Sequence, residues 1–526
     1  MSITTYLLRC KWENAKLLFW LVLNSLCVLA NGLLSAQALT SLVNQDVRAF
    51  LLSTGLNLLV YLLWMLQIKQ IAPARERALQ AMNHEMRTDI LTRLSQTNYE
   101  QFQRESADTY TSWLTNDILT INELGFETLE LMLTQLLNLI FSAITLISYH
   151  PSFALSVLLL TGLMSLLPKR FEQKLADKAL LFSEKNDQLL ASINHTLKGY
   201  GVLFGAGRLG ELVLRVGAPE AAYATSRVSY QQTLGKMMAT QNGLSFLSQL
   251  TILVQAGLLF ALGRVPIGAV SSSPYFASIT FAGLTGFFAN WAEVRSIAPI
   301  FTKFQNIPDA TESRADQITT MGTTLTTHDV QLMINEQLTL DFPNITLTKG
   351  KHYRLMGPSG SGKSTLLMLL SSRLTPTTGQ LTMDSLPART RALTQLTTYV
   401  PQDSFIFTDT LRYNLTLGRT IPDESLLDGL VAIGLGQWLA QLPDGLDSQI
   451  SQESLSGGQA QRLSFLRGAL EDKPIWLLDE ITSALDPISR QTINAYLDKQ
   501  QDKTILLVSH QESLNSSDKW IDLEMT

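Results

Sequence analysis

The sequence predicts a membrane α-helical bundle of six transmembrane helices, fused to a C-terminal α/β domain that carries a phosphate-binding loop. Three observations predict this fold class. Only 16% of the 526 residues are charged, whereas about 25% is usual in soluble domains. After residue 340, short apolar runs alternate with helical ones, as in α/β domains. Five long segments lack Asp, Glu, Lys and Arg, namely 17–45, 49–68, 131–168, 237–263 and 265–292.

Composition and charge exclude several other classes of protein. A hydrophobic fraction of 46% is too high for a disordered chain. The two cysteines, Cys10 and Cys27, exclude a disulfide scaffold and a zinc site built from cysteines. A net charge of −5 argues against a general nucleic-acid-binding protein. The charge is uneven, because residues 1–320 carry +2 and residues 321–526 carry −7.

The uncharged segments predict six spans, because a helix needs about 20 apolar residues to cross the hydrocarbon core. The segment 131–168 is too long for one helix, and His150-Pro151 divides it into two. The predicted spans lie at 17–39, 50–69, 128–149, 152–169, 246–264 and 274–299.

The connections between the spans indicate the orientation of the bundle. Two of them, 70–127 and 170–245, are long, polar and rich in Lys and Arg. The only basic residues of the short connections are Arg48 and Arg264. The positive-inside rule places the long connections and both termini in the cytoplasm. We therefore predict a multi-pass protein of the cytoplasmic membrane. Residues 1–310 form its transmembrane domain, 311–325 a linker, and 326–526 a cytoplasmic α/β domain, whose motifs are described below.

Eight amide side chains lie in the otherwise apolar spans. Such residues either line a substrate path or form hydrogen bonds between helices, and we favour the second role for any single one. They are Asn24, Asn31, Asn57, Gln135, Asn138, Gln249, Gln255 and Asn290.

A phosphate-binding loop follows the predicted strand Tyr353–Met356. The segment matches G-x-x-x-x-G-K-S between a strand and a helix, the context that this motif requires. Its glycines let backbone N–H groups surround phosphates, and the helix N-terminus adds a positive dipole. Lys363 is expected to bind the β- and γ-phosphates, and Ser364 to hold Mg²⁺. The loop reads Gly357-Pro358-Ser359-Gly360-Ser361-Gly362-Lys363-Ser364-Thr365.

Two acidic residues end a second apolar strand, Ile475–Leu478. Asp479 would lie at the carboxyl edge of the sheet, beside the phosphate loop, and would hold Mg²⁺. Glu480 would orient and deprotonate the attacking water.

Three further motifs specify a family by their order and spacing. They are Tyr399-Val400-Pro401-Gln402, Leu455-Ser456-Gly457-Gly458-Gln459, and the strand Ile505–Ser509 followed by His510. With them, the second half resembles the nucleotide-binding domain of an ABC transporter. The six spans and two long cytoplasmic connections resemble a half-size ABC exporter of the type IV fold, and Leu114–Asp117 is similar to a segment of that family's first cytoplasmic loop.

The resemblance implies ATP and Mg²⁺ as cofactors and a role for each motif. Gly357–Thr365 resembles Walker A, and Asp479 resembles the Walker B acid. The expected catalytic residues are Glu480 as base, His510 as the switch histidine, Gln402 of the Q-loop and Lys363. The expected Mg²⁺ ligands are Ser364, Gln402 and Asp479. Ser456, Gly457, Gly458 and Gln459 resemble the signature loop, which faces the ATP of a second subunit. Short helices within 102–118 and 200–215 are expected to dock on the nucleotide-binding domains.

One segment departs from the family pattern. ABC ATPase domains usually stack an aromatic residue on adenine, but Val330–Asn335 contains no aromatic residue. We expect adenine to pack on Met333 or Ile334, or to stack on His328, and the base preference stays open.

The resemblance implies ATP-driven export by a dimer, since a signature loop cannot reach the Walker A site of its own subunit in this fold. The expected cargo is a hydrophobic or amphipathic solute such as a drug, lipid or peptide, and the fused architecture indicates a bacterial membrane. A homodimer and a heterodimer both stay open, as do import and a bacteriocin, thiol- or haem-related cargo. The hypothesis of another class is a membrane-tethered regulatory ATPase that moves no solute.

Overall fold

The computed structural model describes residues 2–166, 169–305, 307, 322–335, 338–384, 386–388, 390–509 and 520–525. The chain forms two compact units. The first contains Met1–Ser95 and Ala107–Ile307, and the second contains Gln96–Ser106 and Pro308–Thr526. A short piece of the first long connection therefore belongs to the second unit.

The helices up to residue 305 include very long ones. They are α1 Ile3–Arg9, α2 Lys11–Val43, α3 Val47–Gln96, α4 Tyr99–Phe102, α5 Ala107–Ser112, α6 Ile118–Ile121, α7 Thr128–Tyr149, α8 Ser152–Leu166, α9 Lys169–Lys198, α10 Tyr200–Gly205, α11 Glu211–Ala261, α12 Ile267–Ser296 and α13 Ala298–Gln305. Trp113–Asp117 and Asn122–Glu127 are π-helical. The predicted break between α7 and α8 is confirmed, and His150 there is extended (φ −162°, ψ 135°), as the residue before a proline prefers.

Four helical segments of the described chain are long and apolar enough to cross a membrane: α2, α3, Ala107–Tyr149 and α11. Ser152–Met164 is a shorter apolar helix, and α12 covers most of the sixth predicted span, so the number of six stays a prediction. At 1.5 Å per residue, α3 and α11 are each about 75 Å long, against about 30 Å for the hydrocarbon core. Much of the polar connections is therefore formed by helical extensions of the spans.

Several amide side chains of the predicted spans hydrogen-bond to another helix. Trp64 Nε1 donates to Asn24 Oδ1 at 2.8 Å, and Asn57 Nδ2 donates to Ser35 Oγ at 3.0 Å. Two further bonds join Asn290 to Gln135 at 3.2 Å and Gln255 to Ser152 at 2.9 Å. The predicted role between helices is confirmed for these residues.

Gly268 lets α12 approach α2 closely. A Cβ atom there would lie 2.0 Å from the carbonyl oxygen of Ala36, and Gly268 N donates to Thr40 Oγ1 at 3.0 Å. We expect Gly268→Ala to cost about 1–3 kcal/mol, because backbone atoms cannot yield to the added methyl group. Thermal unfolding in detergent should shift to a lower midpoint. The control is Gly257→Ala, whose Cβ would meet nothing within 4 Å, and equal midpoints for both variants would contradict the prediction.

The second unit is built on two main sheets. One contains β4 His352–Met356, β7 Thr397–Val400, β10 Ile475–Asp479, β11 Thr504–Val508 and β12 Trp520–Glu524; the other contains β1 Thr324–Asn335, β2 Leu338–Asp341, β3 Thr346–Thr348, β5 Thr378–Met383 and β6 Leu386–Pro387. β8 Asp409–Thr410 pairs with β9 Gln449–Ile450. The helices are α14 Lys363–Leu370, α15 Thr390–Leu396, α16 Leu411–Thr416, α17 Asp423–Ala432, α18 Gly436–Leu439, α19 Gly457–Ala469 and α20 Pro487–Asp498.

The first of these sheets positions the candidate site. Its strand order is β12-β4-β11-β10-β7, and every pairing is parallel. β10 and β11 are buried along their whole length, as expected for strands of a parallel sheet. The carboxyl ends of β4, β7 and β10 therefore meet at one edge, where α/β proteins bind their ligands.

Candidate active site

The predicted phosphate-binding loop connects β4 to α14 and lies at this edge. Gly360 and Gly362 have φ angles of 84° and 92°, which favour glycine. Gly362 precedes α14 directly, so the first N–H groups of that helix face the loop, where they can bind an anion.

Lys363 is the charged group of the loop and is 6% exposed. Its Nζ donates to the carbonyl oxygens of Gly357 at 2.9 Å and Pro358 at 2.8 Å. A buried ammonium group requires such partners. Phosphate oxygens would offer stronger, charge-assisted hydrogen bonds to the same group, which fits the predicted role of Lys363.

Asp479 ends β10 and is 2% exposed. Its Oδ2 accepts a hydrogen bond from the Tyr399 hydroxyl at 3.2 Å, whereas Oδ1 is buried without a hydrogen-bond partner among the described atoms. Burial raises the pKa of the Asp479 carboxyl, and the neighbouring Ser364 hydroxyl opposes that rise. Mg²⁺ prefers oxygen ligands such as carboxylate and hydroxyl groups. Asp479 and Ser364 together therefore fit the predicted metal site.

Glu480 follows Asp479 and accepts a hydrogen bond from a residue that follows the neighbouring strand β7. Gln402, two residues beyond β7, donates from Nε2 to Glu480 Oε2 at 2.9 Å. Glu480 has a φ of 47°, a left-handed conformation that is uncommon outside glycine and clusters at functional sites. The structure thus brings two predicted catalytic residues into contact, while a metal-binding role for Gln402 stays a prediction.

Gln461 on α19 is a connecting residue that sequence reasoning missed. It is 3% exposed, and its Nε2 donates to Glu480 O at 3.1 Å and Ser483 Oγ at 3.2 Å. Its Oε1 accepts a hydrogen bond from Ala484 N at 3.2 Å. The available signal was an amide three and four residues before the buried Ser464 and Phe465, a spacing that places all three side chains on one face of the helix.

The predicted signature loop begins α19 as a helix cap. Ser456 Oγ accepts from Gln459 N at 3.2 Å, and Gln459 Oε1 accepts from Ser456 N at 2.9 Å. This reciprocal pair is a capping box, which the spacing S-x-x-Q predicts. A Cβ atom at Gly458 would lie 3.3 Å from Ala484 O, so a small residue suits this contact. The role of the loop toward a second subunit stays a prediction.

The cap makes Ser456 structurally important independently of any nucleotide. We expect Ser456→Ala to lower the free energy of unfolding by about 0.5–2 kcal/mol, since the helix loses its side-chain acceptor, whereas Ser456→Thr should cost less. Thermal unfolding without nucleotide measures both variants. An unchanged midpoint for Ser456→Ala would show that the cap does not stabilise α19.

The structure describes the residues expected to contact adenine, but it does not describe His510. Met333 and Ile334 are each 53% exposed on β1, whereas His328 Nε2 is hydrogen-bonded to Thr382 Oγ1 at 2.9 Å. Packing of adenine on Met333, Ile334 or His328 stays a prediction. His510 lies outside the described residues.

A docking helix precedes the range predicted for the first connection. In the second unit, Glu100 of α4 accepts through Oε2 a hydrogen bond from Thr375 N at 3.2 Å. Asn98 and Gln101 form a capping box that stabilises this four-residue helix. The expected range of 102–118 therefore begins too late in the chain. The second expected range contains α10.

Comparison with known proteins identifies both parts of the chain. Residues 16–284 match the family described as ABC transporter transmembrane region, and residues 340–483 match the family described as ABC transporter. The ATP-dependent lipid A-core flippase of Burkholderia orbicola (strain AU 1054) is 38% identical over 197 residues, which cover 36% of this chain and 33% of that protein. A protein of Staphylococcus aureus (strain NCTC 8325 / PS 47), whose name assigns it provisionally to multidrug export as an ATP-binding/permease protein, is 36% identical over 198 residues.

The sequence matches to curated relatives cover about a third of each chain, whereas the structural match covers nearly the whole chain. The Staphylococcus match covers 36% of this chain and 34% of that protein, so each match spans about a third of the curated relative. A solved structure of a bacterial Atm1-family ABC exporter with ATP bound has a TM-score of 0.77 at 18% identity, covering 98% of this chain and 94% of that one. The chain therefore belongs to the ABC transporter family, joins the family's transmembrane region to its ATPase domain, and has the fold of a half-size exporter.

Proposed function

We propose that the protein is half of an ATP-driven exporter that moves a hydrophobic or amphipathic solute across a bacterial cytoplasmic membrane. The observation that carries the proposal is the contact of Gln402 with Glu480 beside the buried Asp479, on a chain that also carries membrane-spanning helices. The names of the two relatives, a lipid A-core flippase and a protein assigned to multidrug export, support an apolar or amphipathic cargo.

The residues divide the work of hydrolysis. Lys363 and the N–H groups of the loop bind the phosphates of ATP, and Glu480, oriented by Gln402, accepts a proton from the attacking water. Asp479 and Ser364 would hold Mg²⁺, which neutralises charge on the phosphate oxygens when bound. The signature loop of a second half-transporter completes each site, so ATP binding closes a dimer and hydrolysis reopens it. A homodimer and a heterodimer both satisfy this arrangement.

Transport in inside-out vesicles tests the proposal. Vesicles that contain the wild-type protein should accumulate fluorescent lipids, hydrophobic dyes or peptides in an ATP-dependent manner, while vesicles with Glu480→Gln should not. If the wild type hydrolyses ATP and moves no member of the panel in either direction, the export proposal fails and the regulatory ATPase is favoured. ATP-dependent loss of preloaded solute from the vesicle lumen would instead indicate import.

A further inference from the structure

Arg373 lies between two tyrosine rings in the second unit. Its guanidinium carbon is 5.0 Å from the ring centroid of Tyr99 and 4.4 Å from that of Tyr399. Both distances are within the range of cation–π attraction. Tyr99 begins α4, the docking helix of the first cytoplasmic connection, whereas Tyr399 lies on the central sheet.

Tyr399 continues this row of contacts to the predicted Mg²⁺ site. Its hydroxyl donates to Asp479 Oδ2 at 3.2 Å, and the Ser364 hydroxyl lies beside the same carboxylate. Because the other oxygen of Asp479 has no hydrogen-bond partner among the described atoms, the Tyr399 hydroxyl helps to determine how the carboxylate is turned.

A neighbouring hydrogen bond holds α4 at the Tyr99 end of this row of contacts, which runs from Tyr99 through Arg373 and Tyr399 to Asp479. Glu100, next to Tyr99, accepts a hydrogen bond from Thr375 N, two residues beyond Arg373. A displacement of α4 therefore moves the ring that contacts Arg373.

We propose that Tyr399 is a positioning residue for Asp479, and that Arg373 transmits the position of the docking helix, through Tyr99, to this carboxylate. The proposal deepens the proposed function, since it presupposes that Asp479 holds Mg²⁺ during ATP hydrolysis. The Tyr399–Asp479 contact lies beside the Gln402–Glu480 contact. Gln402 orients the proposed base, and Tyr399 orients the carboxylate proposed to hold Mg²⁺.

The experiment varies free Mg²⁺ and measures two quantities on the full-length protein in nanodiscs: ATP hydrolysis at saturating ATP, and the Mg²⁺-dependent binding of a fluorescent ATP analogue. Tyr399→Phe keeps the ring on Arg373 and removes the donor to Asp479. We expect the Mg²⁺ concentration for half-maximal hydrolysis and for half-maximal nucleotide binding to rise about three- to tenfold, in line with the usual net contribution of one hydrogen bond. Tyr99→Leu should raise it less, and Tyr99→Phe should leave it unchanged. The matched control is Tyr413→Phe, a tyrosine of the same unit whose ring packs on Phe407.

A double variant distinguishes a connected row from two separate effects. If the row transmits position, Tyr99→Leu added to Tyr399→Phe should raise the Mg²⁺ requirement no further than Tyr399→Phe alone. Additive effects, or a Mg²⁺ requirement unchanged in Tyr399→Phe, would overturn the proposal. Should Tyr399→Phe not yield folded protein, Arg373→Lys, which keeps the charge and loses the planar stacking, replaces it, with the smaller shift expected of Tyr99→Leu, and an unchanged Mg²⁺ requirement in Arg373→Lys would likewise overturn the proposal. Neither hydrolysis nor nucleotide binding depends on solute transport, so a failure of transport leaves this test intact.

Discussion

Glu480→Gln is expected to lower the rate of ATP hydrolysis by about 10²- to 10⁴-fold, the usual contribution of a general base. The exchange keeps the size of the side chain and an oxygen that can accept the hydrogen bond from Gln402. It removes only the group that can take a proton from water. The affinity for ATP should therefore stay within about twofold of the wild type, because the phosphate loop is untouched.

The matched control for this variant is Glu424→Gln. Glu424 is an exposed glutamate in the first turn of α17, and its loss should leave hydrolysis unchanged. Phosphate release by purified protein in nanodiscs measures the rate, and a fluorescent ATP analogue measures affinity. A Glu480→Gln protein that retains more than about a tenth of the wild-type rate would assign the base to another residue.

Lys363→Met is expected to weaken ATP binding by about 10- to 100-fold. The methionine keeps an apolar stem, but the loop loses its buried cation, whose hydrogen bonds to phosphate are each worth about 1.5–3 kcal/mol. The carbonyl oxygens of Gly357 and Pro358 also lose their shared donor, so the empty loop should become less rigid.

Titration with the same ATP analogue measures this loss. The control is Lys351→Met, which removes one positive charge from an exposed position just before β4 and should not change affinity. Equal affinities for Lys363→Met and the wild type would show that the carbonyl contacts of Lys363 persist when ATP is bound. In that case the backbone N–H groups alone would bind the phosphates.

Much of this arrangement follows from local pattern. The strands before the phosphate loop and before Asp479 are apolar runs that end in polar motifs, and a parallel sheet brings such ends together. The expectation that a proline ends a helix is correct at His150-Pro151, where α7 ends and α8 begins. The same expectation, that a proline interrupts a helix, would be wrong at Pro73, which lies inside α3. Membrane helices tolerate proline where neighbouring groups satisfy the freed backbone carbonyl.

The contacts that complete the site are not readable from local sequence. Gln402 and Glu480 are 78 residues apart, and Tyr399 and Asp479 are 80 apart. Their contacts depend on β7 lying beside β10, a strand order that no local signal encodes. The cation–π contacts of Arg373 likewise require a four-residue helix from a distant connection. Its capping box at Asn98 and Gln101 was visible in the sequence, but the surface that it meets was not.

The left-handed backbone of Glu480 has a consequence for protein engineering. A non-glycine residue in this conformation costs folding free energy, of the order of 1 kcal/mol, and glycine or asparagine would adopt it more readily. Selecting variants of this chain for thermal stability alone would therefore favour replacement of the residue that we propose as the base. Stability and turnover conflict at this position, so a stabilised variant needs the glutamate held constant during selection.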